Sequence, residues 1–246
     1  MGAELPITGL PREGLPRFAL VTGDPKRVPL IAATLAGCHA VADRREYVTF
    51  AGSWKGTPLV VASHGVGAPG AVLLFQELAT AGVTTIVRAG TCGALRDSIA
   101  DGDLIVATGA VREDGVTDKM VPSSYPASSS PEVLTALQVA AERLSLPVHH
   151  GTMLTTALFF PGIMESTLAT HASRGVIAVE MELAALLVTA ALKGLRAGGV
   201  FAVDGNPLRT DAGSYDPHRD LVRDAVRSAL AVALDALHDL DAEQAA

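Results

Sequence analysis

The chain has 246 residues, of which 49% are hydrophobic and 18% are charged, so it can bury a substantial core and is not disordered overall. Its net charge of −7 disfavours nucleic acid and anionic membrane surfaces as partners, since both repel an acidic protein. The first residues lack the basic and apolar regions of a signal peptide, and no apolar run is long enough to span a bilayer, so we expect a cytoplasmic protein.

Short runs rich in β-branched residues alternate with longer segments that carry apolar residues at spacings of three and four. The runs that predict strands are RFALVT (17–22), TPLVVAS (57–63), TTIVRAG (84–90), DLIVATGAV (103–111), GVIAVEM (175–181) and GGVFAVD (198–204). The segments that predict helices are 71–82, 131–145, 181–194 and 217–240. This alternation favours a single α/β domain with a covered, parallel or mixed sheet. The loop-like stretch 122–132 is compatible with a mobile surface segment.

The first predicted strand runs into the turn TGDPKRV (22–28). Gly23 permits close approach of the backbone, and Arg27 is a bidentate donor suited to phosphate or carboxylate. The alternative is an ordinary strand-to-helix turn in which Arg27 is solvated.

The run TTIVRAGTCGAL (84–95) places Arg88 at the end of an apolar strand, just before a Gly-rich turn that contains Thr91. A guanidinium is always charged and requires an anion there, and the turn supplies backbone N–H groups and a hydroxyl. The sequence therefore indicates an anion pocket, with an ion pair between Arg88 and a core carboxylate as the alternative.

Glu180 and Glu182 lie two residues apart in the apolar run VEMELAAL (179–186), where a buried charge needs a partner. A strand over 176–181 and a helix from Glu182 would put both acids at a strand end, where α/β sheets bind ligands. Carboxylates in that place can accept hydrogen bonds from sugar hydroxyls. The alternative is that Glu182 only caps the helix.

Asp204 ends the apolar run GGVFAVD and enters a Gly–Asn–Pro turn. A carboxyl group at such an edge can protonate a leaving group if burial raises its pKa. The alternative is a plain turn, because Asp before Gly is common in turns.

Other polar segments carry weaker signals. The loop SHGVGAPG (63–70) is Gly-rich but lacks the Lys–Ser/Thr ending of a P-loop, and His64 within it is interpreted as structural. The His149–His150 pair has no carboxylate or cysteine at metal spacing. Cys38 and Cys92 are too few for a disulfide framework and are not spaced as ligands, so no metal site is expected.

Five segments occur in a specific order: GDPKRV, RREYVTF (44–50), SHGVGAPG, VRAGTCGAL and VEMELA. This pattern resembles the nucleoside phosphorylase-I family, the hexameric purine nucleoside phosphorylases and uridine phosphorylases, over residues 17–240. The segments VDGNPLRTDAGSYD (203–216) and VRED (111–114) look most like the purine nucleoside phosphorylases of apicomplexan parasites. The resemblance implies one domain over 1–246, a three-layer α/β/α sandwich with a twisted mixed central sheet. It also implies a homo-oligomer with a shared active site, usually a hexamer built from three dimers.

The resemblance also implies a role for each motif. The phosphate-binding residues would be Gly23, Arg27, Arg88, Thr91 and, from the neighbouring subunit, Arg45. The ribose-binding residues would be Glu180, Met181 and Glu182, and the base-binding residues Phe160, Val179 and Asp204. Arg88 and Asp204 would be the catalytic groups, one offsetting the charge of phosphate and the other protonating the departing purine. Inorganic phosphate would be the co-substrate, and no metal or organic cofactor is expected.

The chain departs from the family pattern at three places. Ile163 and Met164 stand where uridine phosphorylases carry the Gln and Arg that read uracil, which favours a purine. Ala157 stands where the family has an acid, and the N-terminal His that touches the 5′-hydroxyl has no counterpart. With Phe159 and Phe160 nearby, the 5′ end of the pocket would be more apolar, a hypothesis that admits 5′-deoxy or 5′-methylthio nucleosides.

A purine nucleoside phosphorylase is therefore the predicted function. A uridine phosphorylase and a 5′-methylthioadenosine phosphorylase are alternatives within the same enzyme class. A non-catalytic nucleoside-binding protein on the same fold is the alternative outside it. Such a protein would be expected to lose an arginine or the ribose acid, but Arg27, Arg45, Arg88 and Glu182 are all present.

Overall fold

The computed structural model describes residues 4–144, 146–160, 162–209 and 216–245, and these residues form ten strands and six α-helices. The strands are β1 (Phe18–Thr22), β2 (Ala36–Arg44), β3 (Tyr47–Trp54), β4 (Thr57–Ser63), β5 (Thr85–Ala94), β6 (Leu104–Glu113), β7 (Ala127–Ser128), β8 (Val148–Thr156), β9 (Ala178–Glu180) and β10 (Arg196–Gly205). The helices are α1 (Arg27–Ala32), α2 (Ala68–Thr80), α3 (Pro131–Glu142), α4 (Leu168–Ser173), α5 (Leu183–Lys193) and α6 (Asp220–Ala245).

All ten strands belong to one mixed sheet, in the order β10–β6–β8–β9–β5–β1–β4–β3–β2 with β7 beside β6. β10 also pairs with β5, so β5, β10, β6, β8 and β9 form a closed ring. β1, β4, β3 and β2 extend the sheet outward from β5. The predicted α/β fold with a mixed central sheet is confirmed.

Helices cover both faces of the sheet, because each face is lined by apolar side chains that must be removed from water. One buried cluster packs α2 and α5 against the sheet, and a second packs α1, α3 and α6 against the opposite face. α5 is buried around its whole circumference over Leu183–Ala190, and Thr189 is the one polar residue among these, which fits a helix enclosed by protein. It ends at Gly194, whose φ of 68° is the left-handed conformation that glycine adopts at helix ends.

The sequence analysis did not predict four of the strands, β2, β3, β7 and β8, or the two short helices α1 and α4. β2 is an exposed edge strand, so it has no apolar run that would mark it as a strand. The predicted strand 175–181 is shorter than expected, since only Ala178–Glu180 pair within it. The predicted helix 131–145 ends at Glu142, and residues 210–215 of the VDGNPLRTDAGSYD segment lie outside the described residues.

The stretch 122–132 is fixed to the sheet, which argues against a mobile segment. Arg112 of β6 donates hydrogen bonds to the carbonyl oxygens of Pro122 at 2.8 Å and Tyr125 at 2.7 Å. Ser129 Oγ donates to the carbonyl of Ala107 at 2.7 Å. β7, within the same stretch, pairs with β6.

No helix within the described residues is long and apolar enough to cross a membrane.

Candidate active site

β1, β4 and β5 are parallel neighbours, so their carboxyl ends lie at the same edge of the sheet. β9 runs antiparallel to the end of β5, with Val179 opposite Gly93, and brings the start of α5 to this edge. Open α/β sheets bind ligands beyond their strand ends. The four predicted strand-end motifs therefore converge through the pairing of the strands.

Arg88 lies between the two predicted acids. Its Nη2 donates a hydrogen bond to Glu182 Oε2 and lies 3.4 Å from Glu180 Oε2. The side chains of all three residues are at most 5% exposed. The guanidinium also lies 4.9 Å from the ring centre of Phe201, a cation–π contact. The ion-pair alternative raised for Arg88 is thus present, and its partners are the acids expected to hold ribose.

Arg88 keeps hydrogen-bonding capacity beyond this ion pair. Its Nε and Nη1 are buried and make no hydrogen bond within the part of the chain that the structure describes. A buried donor without a partner costs free energy, and a bound anion would remove that cost. The geometry of Arg88 therefore fits both of its expected roles, holding an acid and binding an anion.

Glu182 joins the start of α5 to the loop SHGVGAPG. Its Oε1 accepts a hydrogen bond of 2.5 Å from the backbone N–H of Gly67, which has a φ of 94°. Burial by itself raises the pKa of Glu182, but Arg88, His64 and the Gly67 N–H outweigh burial and lower the pKa below its ordinary value. Glu182 is therefore a carboxylate, the form that accepts hydrogen bonds from hydroxyl groups.

Glu180, and not Glu182, caps α5. Its carboxylate accepts hydrogen bonds from the backbone N–H of Glu182 at 2.8 Å and of Leu183 at 2.9 Å, and from Thr155 Oγ1 at 2.6 Å. The alternative that Glu182 caps the helix is not seen, since its side chain makes no capping bond. Burial raises the pKa of Glu180, and the nearby Glu182 adds to this effect.

The expected phosphate residues Gly23, Arg27 and Thr91 lie on three different segments of the chain. Gly23 follows β1, and a side chain there would come within 3.2 Å of the carbonyl oxygen of Gly65. Arg27 is the first residue of α1 and is partly buried. Thr91 lies three residues beyond Arg88 and is also partly buried, but it belongs to β5, which continues to Ala94, so the predicted turn after Arg88 is wrong. Their phosphate-binding role remains a prediction.

Asp204 is buried near the end of β10, at an irregularity where the pairing with β5 shifts register after Val203. Its carbonyl oxygen accepts a hydrogen bond of 3.1 Å from Arg219 Nη2. Burial raises the pKa of the neighbouring Cys92 thiol, and the charges of Asp204 and Glu180 raise it further. Asp204 and Glu180 therefore both lie near the Cys92 thiol, and the segments expected to bind the base and the ribose are close together in the protein.

His64 is fully buried beside the ion pair, and its Nδ1 donates a hydrogen bond of 2.9 Å to the carbonyl of Gly65. Burial and the charge of Arg88 lower the pKa of His64 to about 4, so the ring is neutral at pH 7. The sequence indicated a structural histidine here, but it gave no sign that the ring adjoins both Arg88 and Glu182.

Four of the remaining predicted residues are partly or largely exposed in the single chain. Arg45 lies at the tip of the β2–β3 hairpin with a φ of 56°, and its side chain is exposed. Phe160 is 80% exposed and contacts Phe159 edge to face. Met181 and Val179 are partly buried next to the two acids. Roles for these residues in binding remain predictions.

Sequence reasoning missed Gly67 and Thr155 as parts of this cluster. Neither carries a pattern of its own: Gly67 contributes a backbone N–H, and Thr155 is one of two adjacent threonines in β8. Among the described residues, no group of three or more His, Cys, Asp or Glu is arranged to hold a metal ion.

Comparison with known proteins identifies the class to which this fold and site belong. Residues 17–238 match the phosphorylase superfamily. The chain is 36% identical over 218 residues to the purine nucleoside phosphorylase of Plasmodium vivax (strain Salvador I), covering 88% of each chain. It is 37% identical over 209 residues to the uridine phosphorylase of Thermococcus kodakarensis, covering 80% of this chain and 76% of the relative.

The comparison with solved structures identifies the same family. The purine nucleoside phosphorylase of Toxoplasma gondii, in complex with immucillin-H, superposes with a TM-score of 0.94 at 30% identity, covering 99% of this chain and 98% of the other. The chain belongs to the phosphorylase superfamily. Within it, the chain is a nucleoside phosphorylase, an enzyme of the pentosyltransferase class whose substrates are a nucleoside and phosphate.

Proposed function

We propose that the chain is a purine nucleoside phosphorylase, which converts a purine ribonucleoside and inorganic phosphate reversibly into the free base and ribose 1-phosphate. One observation carries the proposal: the buried contact of Arg88 with Glu182. In this contact, Arg88 has N–H groups that make no hydrogen bond within the described residues and can bind an anion such as phosphate. Glu182 is a carboxylate that can accept hydrogen bonds from a sugar, so the pair can bring phosphate and ribose together. The similarity to the Plasmodium and Toxoplasma purine nucleoside phosphorylases supports the choice of base.

The proposed chemistry assigns each group a task. Cleavage of the N-glycosidic bond builds positive charge on the ribose, and phosphate held by Arg27, Arg88 and Thr91 approaches C1′ and offsets it. Glu182 fixes the sugar through its hydroxyls. Asp204 delivers a proton to N7 of the purine, so that the base does not leave as an anion.

We further propose that two subunits build each site. Arg45 is exposed at a hairpin tip, and its left-handed backbone conformation turns the chain sharply at that point. A cation in this position is available to a neighbouring molecule, where it would add to the phosphate site. A dimer is then the smallest active unit, and a hexamer of three dimers is the proposed assembly.

A uridine phosphorylase is the second candidate, since the Thermococcus kodakarensis uridine phosphorylase is as similar in sequence as the purine enzymes are. The exposed apolar side chains of Ile163 and Met164 count against it, because they cannot form hydrogen bonds with uracil.

The test is product formation from inosine, adenosine, 5′-methylthioadenosine and uridine, each with and without inorganic phosphate. The proposal expects free purine base from at least one purine nucleoside, only in the presence of phosphate. Turnover of uridine alone would establish the second candidate, and turnover without phosphate would contradict the role of the arginines.

A further inference from the structure

We propose that Thr155 and Glu180 are positioning residues, which hold Glu182 and Arg88 in place and do not contact the substrates. The inference rests on the proposed function of the same site. It replaces the expectation that Glu180 lines the ribose pocket.

The hydrogen bonds of Glu180 leave it little capacity for a ligand. Oε1 accepts from Thr155 Oγ1 at 2.6 Å and from the Leu183 N–H at 3.0 Å, and Oε2 accepts from the N–H groups of Glu182 at 2.8 Å and Leu183 at 2.9 Å. Oε2 also lies 3.4 Å from Arg88 Nη2. A carboxylate has about four lone-pair positions, so these donors occupy it without a sugar hydroxyl.

Thr155 completes the arrangement from β8. Its hydroxyl donates to Glu180 and accepts a hydrogen bond of 2.9 Å from the backbone N–H of Ala184. Together the two side chains therefore satisfy the N–H groups of Glu182, Leu183 and Ala184. The first turn of a helix leaves such groups without partners, so α5 begins at a fixed place on the sheet.

The hydrogen bonds of Glu180 and Thr155 to the start of α5 also set the direction of the Glu182 side chain. Glu182 stands just before α5 with a φ of −142°, outside the helical region, and its backbone N–H is held by Glu180. Its side chain then reaches both Arg88 and Gly67. A displacement of about 1 Å in a reacting group costs about 100-fold in rate. Loss of the hydrogen bonds that fix the start of α5 should therefore lower the turnover rate.

The experiment compares Thr155→Val, Thr155→Ser and Glu180→Gln with a matched control, Thr189→Val. Thr189 is also a buried threonine of this region, but its hydroxyl makes no hydrogen bond within the described residues. We expect Thr155→Val and Glu180→Gln to lower kcat/KM for the nucleoside by about 10- to 100-fold. Thr155→Ser should keep kcat/KM within about threefold of wild type, because it retains the hydroxyl, and Thr189→Val should do the same.

The pH profile of kcat separates positioning from a merely structural role. The groups that face Glu180 are Arg88 and Cys92 from β5, Glu182 at the start of α5 and Thr155 from β8. The Thr155 hydroxyl donates to Glu180 and favours its charged form, so loss of the hydroxyl raises the pKa of Glu180 further. The acidic limb of the kcat profile should therefore move to higher pH in Thr155→Val only. If Thr155→Val lowers the melting temperature but leaves kcat/KM and the acidic limb unchanged, the inference is wrong. Equal losses in Thr155→Ser and Thr155→Val would also overturn it.

Failure of the proposed function is distinguishable from failure of this inference. If the wild type turns over uridine and no purine nucleoside, the purine assignment fails, and the same variants are compared on uridine. If the wild type turns over none, calorimetric binding of ribose 1-phosphate replaces kcat/KM. Binding should then weaken about 10-fold or more in Thr155→Val and remain unchanged in Thr155→Ser and Thr189→Val, and uniform affinities would contradict the inference.

Discussion

Arg88 of β5 donates a hydrogen bond to Glu182 at the start of α5, although 94 positions separate the two residues in the chain. Both side chains are 5% exposed, so the pair is withdrawn from water. Removing one partner of a buried ion pair leaves the other charge uncompensated. The residue expected to bind phosphate and the residue expected to bind ribose are therefore coupled in their contributions to stability.

Two substitutions of Arg88 should separate these effects. Arg88→Lys keeps a positive charge but loses the planar fork, so kcat/KM for phosphate should fall by about 100- to 1,000-fold with a smaller loss of stability. Arg88→Met leaves Glu180 and Glu182 without their cation and should lower the free energy of unfolding by about 3–5 kcal/mol. Steady-state kinetics at varied phosphate and urea denaturation measure the two quantities.

Arg227→Met is the control, because Arg227 pairs with Asp224 on the exposed side of α6. It should change the free energy of unfolding by at most about 0.5 kcal/mol. An Arg88→Lys enzyme with wild-type kcat/KM for phosphate would rule out a direct role of the guanidinium.

Asp204→Asn should identify the base that leaves. An amide cannot supply the proton that a carboxyl group can, so kcat/KM for a purine nucleoside should fall by about 100- to 10,000-fold. Any turnover of uridine should be unaffected, since the proposed proton acceptor is N7 of a purine. The measurement is initial rate with inosine and uridine at saturating phosphate. A variant with full purine activity would contradict the role of Asp204.

The sequence indicated the ends of β1 and β10, because polar segments after apolar runs are local features. It was wrong about β5, which continues through the predicted Gly-rich turn to Ala94 because that segment pairs with β10. Arg88 and Glu182 could still be identified, since each is a charged residue in an apolar run. Their contact could not, since it depends on β9 turning antiparallel to β5 and on the register that places Val179 opposite Gly93.

The sequence also could not show that Glu180 caps α5 and that Glu182 contacts Arg88 most closely. Glu180 and Glu182 are alike in charge and apolar surroundings, and only the backbone at the start of α5 shows which one caps the helix. Thr155 could not be predicted either, because its role depends on β8 lying beside β9. Single N–H and hydroxyl contacts of this kind leave no periodic pattern in a sequence.

Arg45 should act in the site of the neighbouring subunit. Arg45→Ala and Glu182→Gln should each lower kcat/KM by about 100-fold or more when prepared alone. When the two are refolded together, half of the dimers are mixed and each mixed dimer carries one intact site, so activity should return to about a quarter of wild type. Phosphorolysis by the co-refolded mixture measures this.

Two outcomes of the mixing experiment are informative. A mixture that stays inactive would show that Arg45 acts within its own subunit or not at all. Mixing Glu182→Gln with Arg88→Lys is the control, because one subunit supplies both residues to the same site, and each site of a mixed dimer therefore keeps one defect. This mixture should stay inactive, and recovery of its activity would contradict the arrangement in which Arg45 alone comes from the neighbouring subunit.

Arg112 should hold the stretch 122–132 in place. It donates hydrogen bonds to the carbonyls of Pro122 and Tyr125 and to Thr117 Oγ1, and it pairs with Asp118. Arg112→Ala should therefore raise the rate of tryptic cleavage at the exposed Lys119 by about tenfold or more under native conditions. Arg227→Ala is the control and should cleave there at the wild-type rate. Equal rates in Arg112→Ala and wild type would mean that the pairing of β7 and the hydrogen bond of Ser129 fix the stretch without Arg112.

His64 should make stability depend on pH in a defined window. Its pKa is lowered to about 4 in the folded protein from 6.5, so below pH 6.5 the unfolded chain binds a proton that the folded chain does not. The contribution of the neutral ring is complete above pH 6.5 and is lost as pH falls toward 4. Between pH 7 and pH 5 the free energy of unfolding should drop by about 2 kcal/mol from this residue.

His64→Asn isolates that contribution, because asparagine keeps an N–H donor for the Gly65 carbonyl and does not titrate. The pKa of Glu182 is lowered, so its contribution is lost only at lower pH, and the raised pKa of Glu180 acts in the opposite direction in both proteins. Urea denaturation at pH 7 and pH 5 should therefore show a smaller drop in His64→Asn than in wild type. His39→Asn, at an exposed position, should follow wild type. Equal drops in all three proteins would show that the buried ring is charged above pH 5 and that Glu182, not burial, governs its protonation.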